Sequence, residues 1–272
     1  MPQSPIASIE ALGPAPGQRI ACHLDSTFRA LAGRAGTATP AYFRLVTGEP
    51  HPFGNLAVIT DTGATAQAIE PLAAGAAPAA AVLPGCDIDG AVHATLAAAG
   101  FAAHPPMPAM AVEIDALAPA PLPPGCRFTR VGPGAEEGER WADAFAIGYE
   151  LPPAVARIFA PGQIEVDPAP DATTQFFAVE RDGRTVATSL LHLSGGVAGI
   201  YCVATIPPER GKGLGAHATA EPLRIARHLG YRVGALQSSE AGHSVYRRLG
   251  FADLGDVPLY IRIPGAADVA PM

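Results

Sequence analysis

A chain of 272 residues with a net charge of −7 and no cluster of lysine or arginine is a poor candidate for nucleic-acid binding, because phosphate backbones require clustered positive charge. Hydrophobic residues make up 49% of the chain and charged residues 16%, so the composition allows roughly two domains of ~100–150 residues with buried cores. An acidic surface attracts a cationic amine, although only weakly.

The cysteines show neither a metal nor a disulfide pattern. They are Cys22, Cys86, Cys126 and Cys202. Because they lack C-x-x-C or Cys-His spacing, we expect no metal site. The N-terminal residues lack the charged and apolar regions of a signal peptide. The longest apolar run, around 72–84, contains Gly and Pro and is too short to span a bilayer. We therefore expect a cytoplasmic protein without a membrane partner.

The first half of the chain alternates short helical and strand-like segments. Apolar residues spaced at i, i+4 and i+7 predict a helix over 23–33. The segment 39–54 fits a helix or a strand followed by a loop. A strand closed by an Asp-Thr-Gly turn is predicted over 55–63. After further short helices and strands, a final strand is predicted over 108–117.

Residues 118–125 form the best candidate for a domain boundary. Their sequence, APAPLPPG, contains four prolines, which fix φ and remove hydrogen-bond donors. A semi-rigid linker is therefore predicted between a first domain, 1–117, and a second, 126–272.

The second half predicts the element order βααβββαβαβ, typical of a mixed, largely antiparallel sheet. An Arg-Asp-Gly turn marks a hairpin between two of its strands. Pro222 lies inside the helix predicted after the glycine-rich segment 211–215, which we refer to as the glycine loop, and we expect it to bend that helix after its second turn.

A short pattern recurs in both halves at an offset of 150 residues. The matched pairs are His93 and His243, Leu96 and Tyr246, Gly100 and Gly250, Phe101 and Phe251, and Pro108 and Pro258. A second match, from 57–61 to 178–182, has an offset of 121. The stretch that separates the two matched segments is therefore 29 residues shorter in the first half than in the second. We interpret this as an internal duplication. We expect the shorter copy to lack a strand–glycine loop–helix segment.

The segment 203–251 carries the most specific motif. Arg210-Gly-Lys-Gly-Leu-Gly-Ala216 follows a predicted strand and opens a helix, and Tyr246-Arg-Arg-Leu-Gly-Phe251 comes later. Together these resemble GNAT-type N-acetyltransferases, whose acetyl-CoA signature is Gln/Arg-x-x-Gly-x-Gly/Ala. The resemblance covers roughly 126–263. It implies an α/β (α+β) fold of two GNAT-like domains, each a mixed, mostly antiparallel sheet flanked by helices, with a degenerate N-terminal copy.

A dinucleotide-binding loop is the main competing interpretation. Gly211, Gly213 and Ala216 satisfy the permissive G-x-G-x-x-A spacing. However, the next predicted strand, near 231–237, has no acidic residue to hold a ribose, and antiparallel hairpins precede the loop. No Walker sequence G-x4-G-K-[ST] occurs in the chain.

The resemblance implies acetyl-CoA as cosubstrate and no metal. Backbone N–H groups of the glycine loop would bind the pyrophosphate, with charge added by Arg210 and Lys212. Val203 and Thr205 would offer backbone hydrogen bonds to the thioester and the pantetheine arm where two strands splay apart. Ser239 stands where the family often has Asn and would contact pantetheine. The predicted loop contacts are Gly211, Lys212, Gly213, Leu214, Gly215 and Ala216.

The same resemblance makes Tyr246 the general acid that protonates the departing CoA thiolate. Cys202 fits a small apolar side chain better than a nucleophile, so direct transfer is expected, with a backbone contact near Val203 stabilising the tetrahedral intermediate. His243 fits a surface histidine. The general base stays open between Glu150 and His192, with Glu165 and Glu180 behind them.

We therefore expect transfer of an acetyl group from acetyl-CoA directly to a primary amine on a small molecule or peptide. The first half would then be a structural or substrate-side wall. Three alternatives stay open: a catalytically silent acyl-CoA sensor, a longer acyl group, and an aminoacyl or thiol-bearing acceptor. The sequence does not indicate the oligomeric state or the identity of the acceptor.

Overall fold

The computed structural model describes residues 4–162 and 167–265. The helices of the first half are α1 (Pro16–Ala32), α2 (Thr65–Ala74) and α3 (Gly90–Ala98). Its strands are β1 (Thr37–Ala38), β2 (Tyr42–Val46), β3 (Asn55–Ile59), β4 (Ala79–Val82) and β5 (Ala102–Glu113).

The described part of the second half begins with β6 (Cys126–Arg130), α4 (Ala135–Tyr149), α5 (Pro153–Ile158), β7 (Thr174–Arg181) and β8 (Arg184–Ser194). It continues with β9 (Val197–Thr205), α6 (Leu214–His228), β10 (Val233–Gln237), α7 (Glu240–Leu249) and β11 (Ala252–Arg262). This order confirms the predicted βααβββαβαβ.

Two predicted boundaries in the first half are wrong. The helix expected over 23–33 begins at Pro16, because proline at the first helical position loses no hydrogen bond that the helix needs. The strand expected over 108–117 begins at Ala102, since β5 pairs with β11 through its proline-rich beginning. The predicted hairpin turn has Asp182 and Gly183 at φ 50° and 75°, as a two-residue turn between twisted strands requires.

The described strands form one sheet in the order β1-β2-β3-β4-β11-β5-β10-β9-β8-β7-β6. The last strand of each half therefore lies among strands of the other half. β11 pairs antiparallel with β4 and β5, and β5 pairs antiparallel with β10 and β11. The mixed, mostly antiparallel sheet flanked by helices confirms the predicted fold class.

The topology repeats between the halves and supports the duplication. β3 runs parallel to β4 across α2, as β9 runs parallel to β10 across α6. Both connecting helices contain a proline, Pro71 and Pro222. The expectation that the first half lacks this segment is wrong. The strand and helix are present, but α2 carries no glycine signature by which the sequence could reveal them.

Helices cover both faces of the sheet. On one face, α1, α4 and α5 share one apolar cluster that spans both halves, including Phe28, Phe43, Trp141 and Phe159. On the opposite face, α2 and α3 pack over the first half, while α6 and α7 pack over the second. No helix in the described ranges is long and apolar enough to cross a bilayer.

The proline-rich segment 118–125 lies against α6 and α7. The Ala118 N–H donates to the Leu249 carbonyl at 3.1 Å, and the Ala120 carbonyl accepts a hydrogen bond from His217 Nδ1 at 2.8 Å. The helix containing Pro222 continues to His228. The division into domains 1–117 and 126–272 stays a prediction.

The exchanged strands predict that residues 118–272 do not fold alone. Without the first half, β11 loses both of its neighbours, and β10 loses β5. Unpaired strand edges favour aggregation. We expect fragment 118–272 to be insoluble or to unfold without a cooperative transition, measured by circular dichroism during heating.

Co-expression with fragment 1–117 is the control, and we expect the two fragments to purify together. A monomeric fragment 118–272 with a sharp melting transition would contradict the importance of the exchange.

Candidate active site

An opening forms where β9 and β10 diverge. In the described structure, their paired positions are Ala198 with Gly234 and Gly199 with Ala235. Beyond these pairs, β9 continues to Thr205 beside β8, and β10 continues to Gln237 beside β5. The predicted splay of the strands is therefore present, with Val203 and Thr205 on its β9 side.

A bulge in β9 lies beside this opening. The register with β8 shifts between the pairs Thr188–Ala204 and Leu190–Tyr201. Cys202 adopts a φ of 50°, a left-handed conformation that costs ~1–2 kcal/mol outside glycine. The Thr188 hydroxyl donates to the Cys202 carbonyl at 2.9 Å and holds the bulge. Because a bulge removes residues from the ladder, backbone groups at Cys202–Val203 are available to a ligand.

The glycine loop ends at the N-terminus of α6. Gly211 and Gly213 have φ of 77° and 85°, values that favour glycine. An added Cβ at either position meets no atom within 4 Å, so the space above the loop is open. Among the described residues, no side chain caps the first turn of α6, which begins at Leu214. These free N–H groups form a site suited to an anion.

The two cations of the loop already have partners. The Arg210 guanidinium donates to the Thr205 carbonyl at 3.2 Å and to the Gly148 carbonyl at 2.9 Å. Lys212 lies 3.2 Å from Glu209, which also pairs with Arg181. Arg210 thus ties the loop to the end of α4, and Lys212 keeps a side chain 46% exposed.

Tyr246 lies on α7, half-buried and with its ring 5.9 Å from that of Phe251. Burial raises the pKa of Tyr246 to about 12, so the phenol is protonated at neutral pH. Gly242, one turn earlier, leaves space for the ring, since a Cβ there would lie 2.8 Å from it. Ser239 caps this helix: its hydroxyl accepts from the Gly242 N–H at 3.2 Å.

Tyr149, at the end of α4, was not found from the sequence. Burial of its phenol raises the pKa of Tyr149, with smaller contributions from Tyr246 and Cys202. The ring of Tyr149 lies 4.9 Å from that of Phe145 on the same helix. An aromatic residue at a helix end carries no motif, so the sequence offered no signal for it.

The candidate bases occupy different surroundings. Glu150 is exposed at the left-handed end of α4, with φ of 58°. Glu180 hydrogen-bonds to Arg127 on the β6 edge of the sheet at 2.5 Å. Glu165 lies outside the described residues. His243 pairs with Asp253 at 2.8 Å, which fits a partly exposed histidine.

His192 belongs to a buried polar cluster with His23 of α1. His192 Nδ1 lies 3.0 Å from the Thr174 hydroxyl, and its ring is 5.5 Å from that of His23. His23 Nδ1 lies 2.8 Å from the Tyr201 hydroxyl. Gly199 makes room, since an added Cβ would lie 2.4 Å from the His23 ring. We refer to His23, His192, Thr174 and Tyr201 as the histidine cluster.

The histidine cluster predicts acid sensitivity. Burial, reinforced for His23 by the neighbouring His192, lowers the pKa of His23 to about 3, and burial alone lowers the pKa of His192 to about 4. In the unfolded chain both histidines have a pKa of about 6.5. Below that pH the unfolded state takes up protons that the folded state does not. We therefore expect the free energy of unfolding to fall by about 1.4 kcal/mol per pH unit for each histidine between about pH 6 and pH 4.

Urea unfolding at several pH values measures this slope. His23→Gln should remove about half of the two-histidine contribution. The exposed His104 provides the control, since His104→Gln should leave the slope unchanged. Equal slopes in wild type and His23→Gln would show that His23 is not held neutral.

Comparisons with known proteins agree with this geometry. The model of the acetyltransferase (GNAT) family matches residues 141–251, a range that includes the bulge, the glycine loop and Tyr246. No curated protein matches the chain. Among the described residues, no group of three or more His, Cys, Asp or Glu is arranged to hold a metal ion.

Several solved structures share the fold. A GCN5-related N-acetyltransferase from Kribbella flavida is 23% identical, with a TM-score of 0.62 over 93% of this chain and 98% of that one. A GCN5-related N-acetyltransferase from Sphaerobacter thermophilus is 18% identical, with a TM-score of 0.58 over 85% and 80% of the two chains. A tandem GNAT protein from the clavulanic acid biosynthesis pathway is 16% identical, with a TM-score of 0.51 over 94% and 98%.

The chain therefore carries a GNAT acetyltransferase domain, and its first half fits a degenerate copy of the same fold. Since this family transfers acyl groups, the match supports acyl transfer by the domain at 141–251, and the family implies acetyl-CoA as cosubstrate.

Proposed function

We propose that the protein is an N-acetyltransferase that transfers the acetyl group of acetyl-CoA directly to a primary amine of a small molecule or peptide. One observation carries the proposal. The uncapped N-terminus of α6 and the bulge at Cys202 belong to elements that begin or diverge at the opening between β9 and β10, and the protonated phenol of Tyr246 belongs to α7, the helix that follows β10.

The residues suggest how acetyl-CoA binds. The N–H groups of the loop would bind the pyrophosphate; these are the N–H groups of Gly211, Lys212, Gly213, Leu214, Gly215 and Ala216. Lys212, which pairs with Glu209 but keeps a side chain 46% exposed, would add charge beside it. Backbone groups of Val203 and Thr205 would bind the pantetheine arm and the thioester. Arg210 would act by fixing the loop, because its guanidinium is bonded to two carbonyls. Ser239 would act by capping α7 beside the arm.

In the proposed reaction, the amine nitrogen attacks the thioester carbonyl, forming the C–N bond. The backbone at the bulge stabilises the negative oxygen of the tetrahedral intermediate. The C–S bond then breaks, and Tyr246 gives its proton to the leaving sulfur. The nitrogen releases one proton to solvent, and Tyr246 takes one back from solvent. Cys202 takes no covalent part, since burial raises the pKa of its thiol to about 12.

Three alternatives remain. A catalytically silent acyl-CoA sensor would need the loop but not the phenol, so the presence of Tyr246 favours the enzyme. An acyl group longer than acetyl would use the same contacts, as would transfer to an aminoacyl or thiol-bearing acceptor. A cytoplasmic location stays a prediction from the sequence.

Two measurements test the proposal. In a thermal-shift titration, acetyl-CoA should raise the melting temperature, because a ligand that binds only the folded state stabilises it. In a screen of primary amines, detection of free CoA thiol should identify an acceptor. No shift with acetyl-CoA would overturn both the enzyme and the sensor. A shift without any acceptor-dependent thiol release would favour the sensor.

A further inference from the structure

The opening between β9 and β10 has a second side, opposite to the proposed cosubstrate elements. The glycine loop leads into α6, and Tyr246 lies on α7; both helices cover the same face of the sheet. On the other face, α1 and α4 pack against the strands of the second half. With acetyl-CoA reaching the opening from the α6–α7 face, the acceptor approaches from the face that α1 covers.

Helix α1 belongs to the first half but contacts both sides of this opening. On the β9 side, its His23 bonds to the Tyr201 hydroxyl at 2.8 Å. On the β10 side, the carbonyl of Ile20 accepts a hydrogen bond from Gln237 Nε2 at 2.9 Å. The last paired residues of β9 and β10 are Gly199 and Ala235. Two residues further along each strand lie Tyr201 and Gln237. They thus stand at the same level on opposite sides of the opening.

Two buried polar atoms on the groups that meet at α1 have no hydrogen-bond partner among the described residues. They are Gln237 Oε1, beside the opening, and His23 Nε2, whose ring also lies near the backbone of Val197 and Ser194. His23 is only 6% exposed, and leaving a buried polar atom without a hydrogen bond costs ~1–3 kcal/mol. Such atoms are suited to a bound ligand. Gln237 Oε1 is an acceptor, so it fits an N–H group.

The surroundings of these atoms are uncharged. The groups are two imidazoles, a phenol and an amide, and within the described chain no Asp or Glu hydrogen-bonds to His23, His192, Tyr201 or Gln237. The nearest acidic residue along α1, Asp25, bonds instead to Arg29 at 2.6 Å. A buried ammonium without a counter-charge is expensive, whereas a neutral amine with hydrogen-bond partners is not.

Resting on the proposed function, we propose that the acceptor is a weakly basic primary amine, bound uncharged between Tyr201 and Gln237 beneath α1. Gln237 Oε1 accepts an N–H of the amine, and the Tyr201 hydroxyl, fixed by His23, lies on its other side. The site thereby receives the nitrogen with its lone pair free, and the first half selects the substrate through α1. The net negative charge of the chain, considered without this site, would instead favour a cationic amine.

The test compares two amines of similar size, glycinamide and n-butylamine, of which butylamine is the stronger base. The full-length protein is assayed with acetyl-CoA by thiol release, and kcat/KM is expressed per total amine at one pH. Wild type should prefer glycinamide. Gln237→Glu places a carboxylate in the site, and a neighbouring opposite charge favours an ammonium by about one pKa unit or more. The butylamine-to-glycinamide ratio should therefore rise about tenfold.

Gln67→Glu is the matched control, because it adds the same charge on the exposed side of α2 and should leave the ratio unchanged. Tyr201→Phe is the second variant. It should raise KM for glycinamide while leaving KM for acetyl-CoA unchanged, so the inference stays testable even where Gln237→Glu does not fold.

Each outcome decides something. A wild type that prefers butylamine, or a ratio that Gln237→Glu leaves unchanged in a folded protein, overturns this inference and leaves the acetyltransferase intact. An unchanged KM for glycinamide in Tyr201→Phe removes Tyr201 from the site. Binding of acetyl-CoA with no transfer to any amine overturns the proposed function and this inference together.

Discussion

Tyr246→Phe should lower kcat by about 100-fold or more while KM for acetyl-CoA changes little, since positioned general acids contribute ~10²–10⁴-fold. The substitution keeps the ring contact with Phe251 and removes only the hydroxyl. In the proposed reaction, the phenol, whose pKa burial raises to about 12, would hold its proton until sulfur leaves. Steady-state kinetics with any acceptor found in the amine screen provide the measurement.

Tyr231→Phe is the matched control. Tyr231 is buried in the same apolar cluster as Phe251, next to the beginning of β10 and away from the opening. Its loss of a hydroxyl should leave kcat unchanged. An equal kcat in wild type and Tyr246→Phe would exclude the phenol as the acid. A fall in kcat accompanied by a lower melting temperature in both variants would indicate a packing effect.

Gly213→Val should weaken acetyl-CoA binding by about 10–100-fold, equivalent to losing one charge-assisted hydrogen bond of ~1.5–3 kcal/mol. The side chain would occupy the open space above the first turn of α6, where the pyrophosphate is proposed to lie. Isothermal titration calorimetry measures the dissociation constant directly.

Gly183→Val separates this effect from backbone strain. Gly183 also has a positive φ, 75°, and no atom within 4 Å of an added Cβ, but it lies in the β7–β8 turn. Both variants should therefore have similar backbone strain, because valine is disfavoured in the left-handed region. We expect similar losses of stability and a loss of acetyl-CoA affinity in Gly213→Val alone. Equal affinity in the two variants would move the pyrophosphate away from this loop.

Local patterns were sufficient for the elements of the second half. The Asp182-Gly183 turn and the glycines before α6 act through their own backbone or a few neighbouring residues. The sequence could therefore predict the order of strands and helices, while the splay of two strands was implied by the resemblance to GNAT-type acetyltransferases. The roles of the loop and of Tyr246 stay proposals.

Contacts between residues far apart in the chain could not be predicted from the sequence. Nothing in the spacing of α1 indicates that His23 lies against Gly199 and Tyr201, which are far along the chain. The partners of Arg210 show the same limit. Its position in the motif suggests a phosphate, while the Gly148 carbonyl accepts from it. Such pairings depend on how helices pack on the completed sheet.

The exchange of β5 and β11 also sets the order of events during synthesis. Met110 of β5 pairs with Asp253 of β11, and Val82 of β4 pairs with Leu259. These partners are far apart in the chain, and contacts of this kind slow folding because long loops must close first. As a ribosome delivers the N-terminal residues first, one edge of β4 and both edges of β5 stay unpaired until β10 and β11 have been made. The centre of the sheet is thus completed only after β11 has been made.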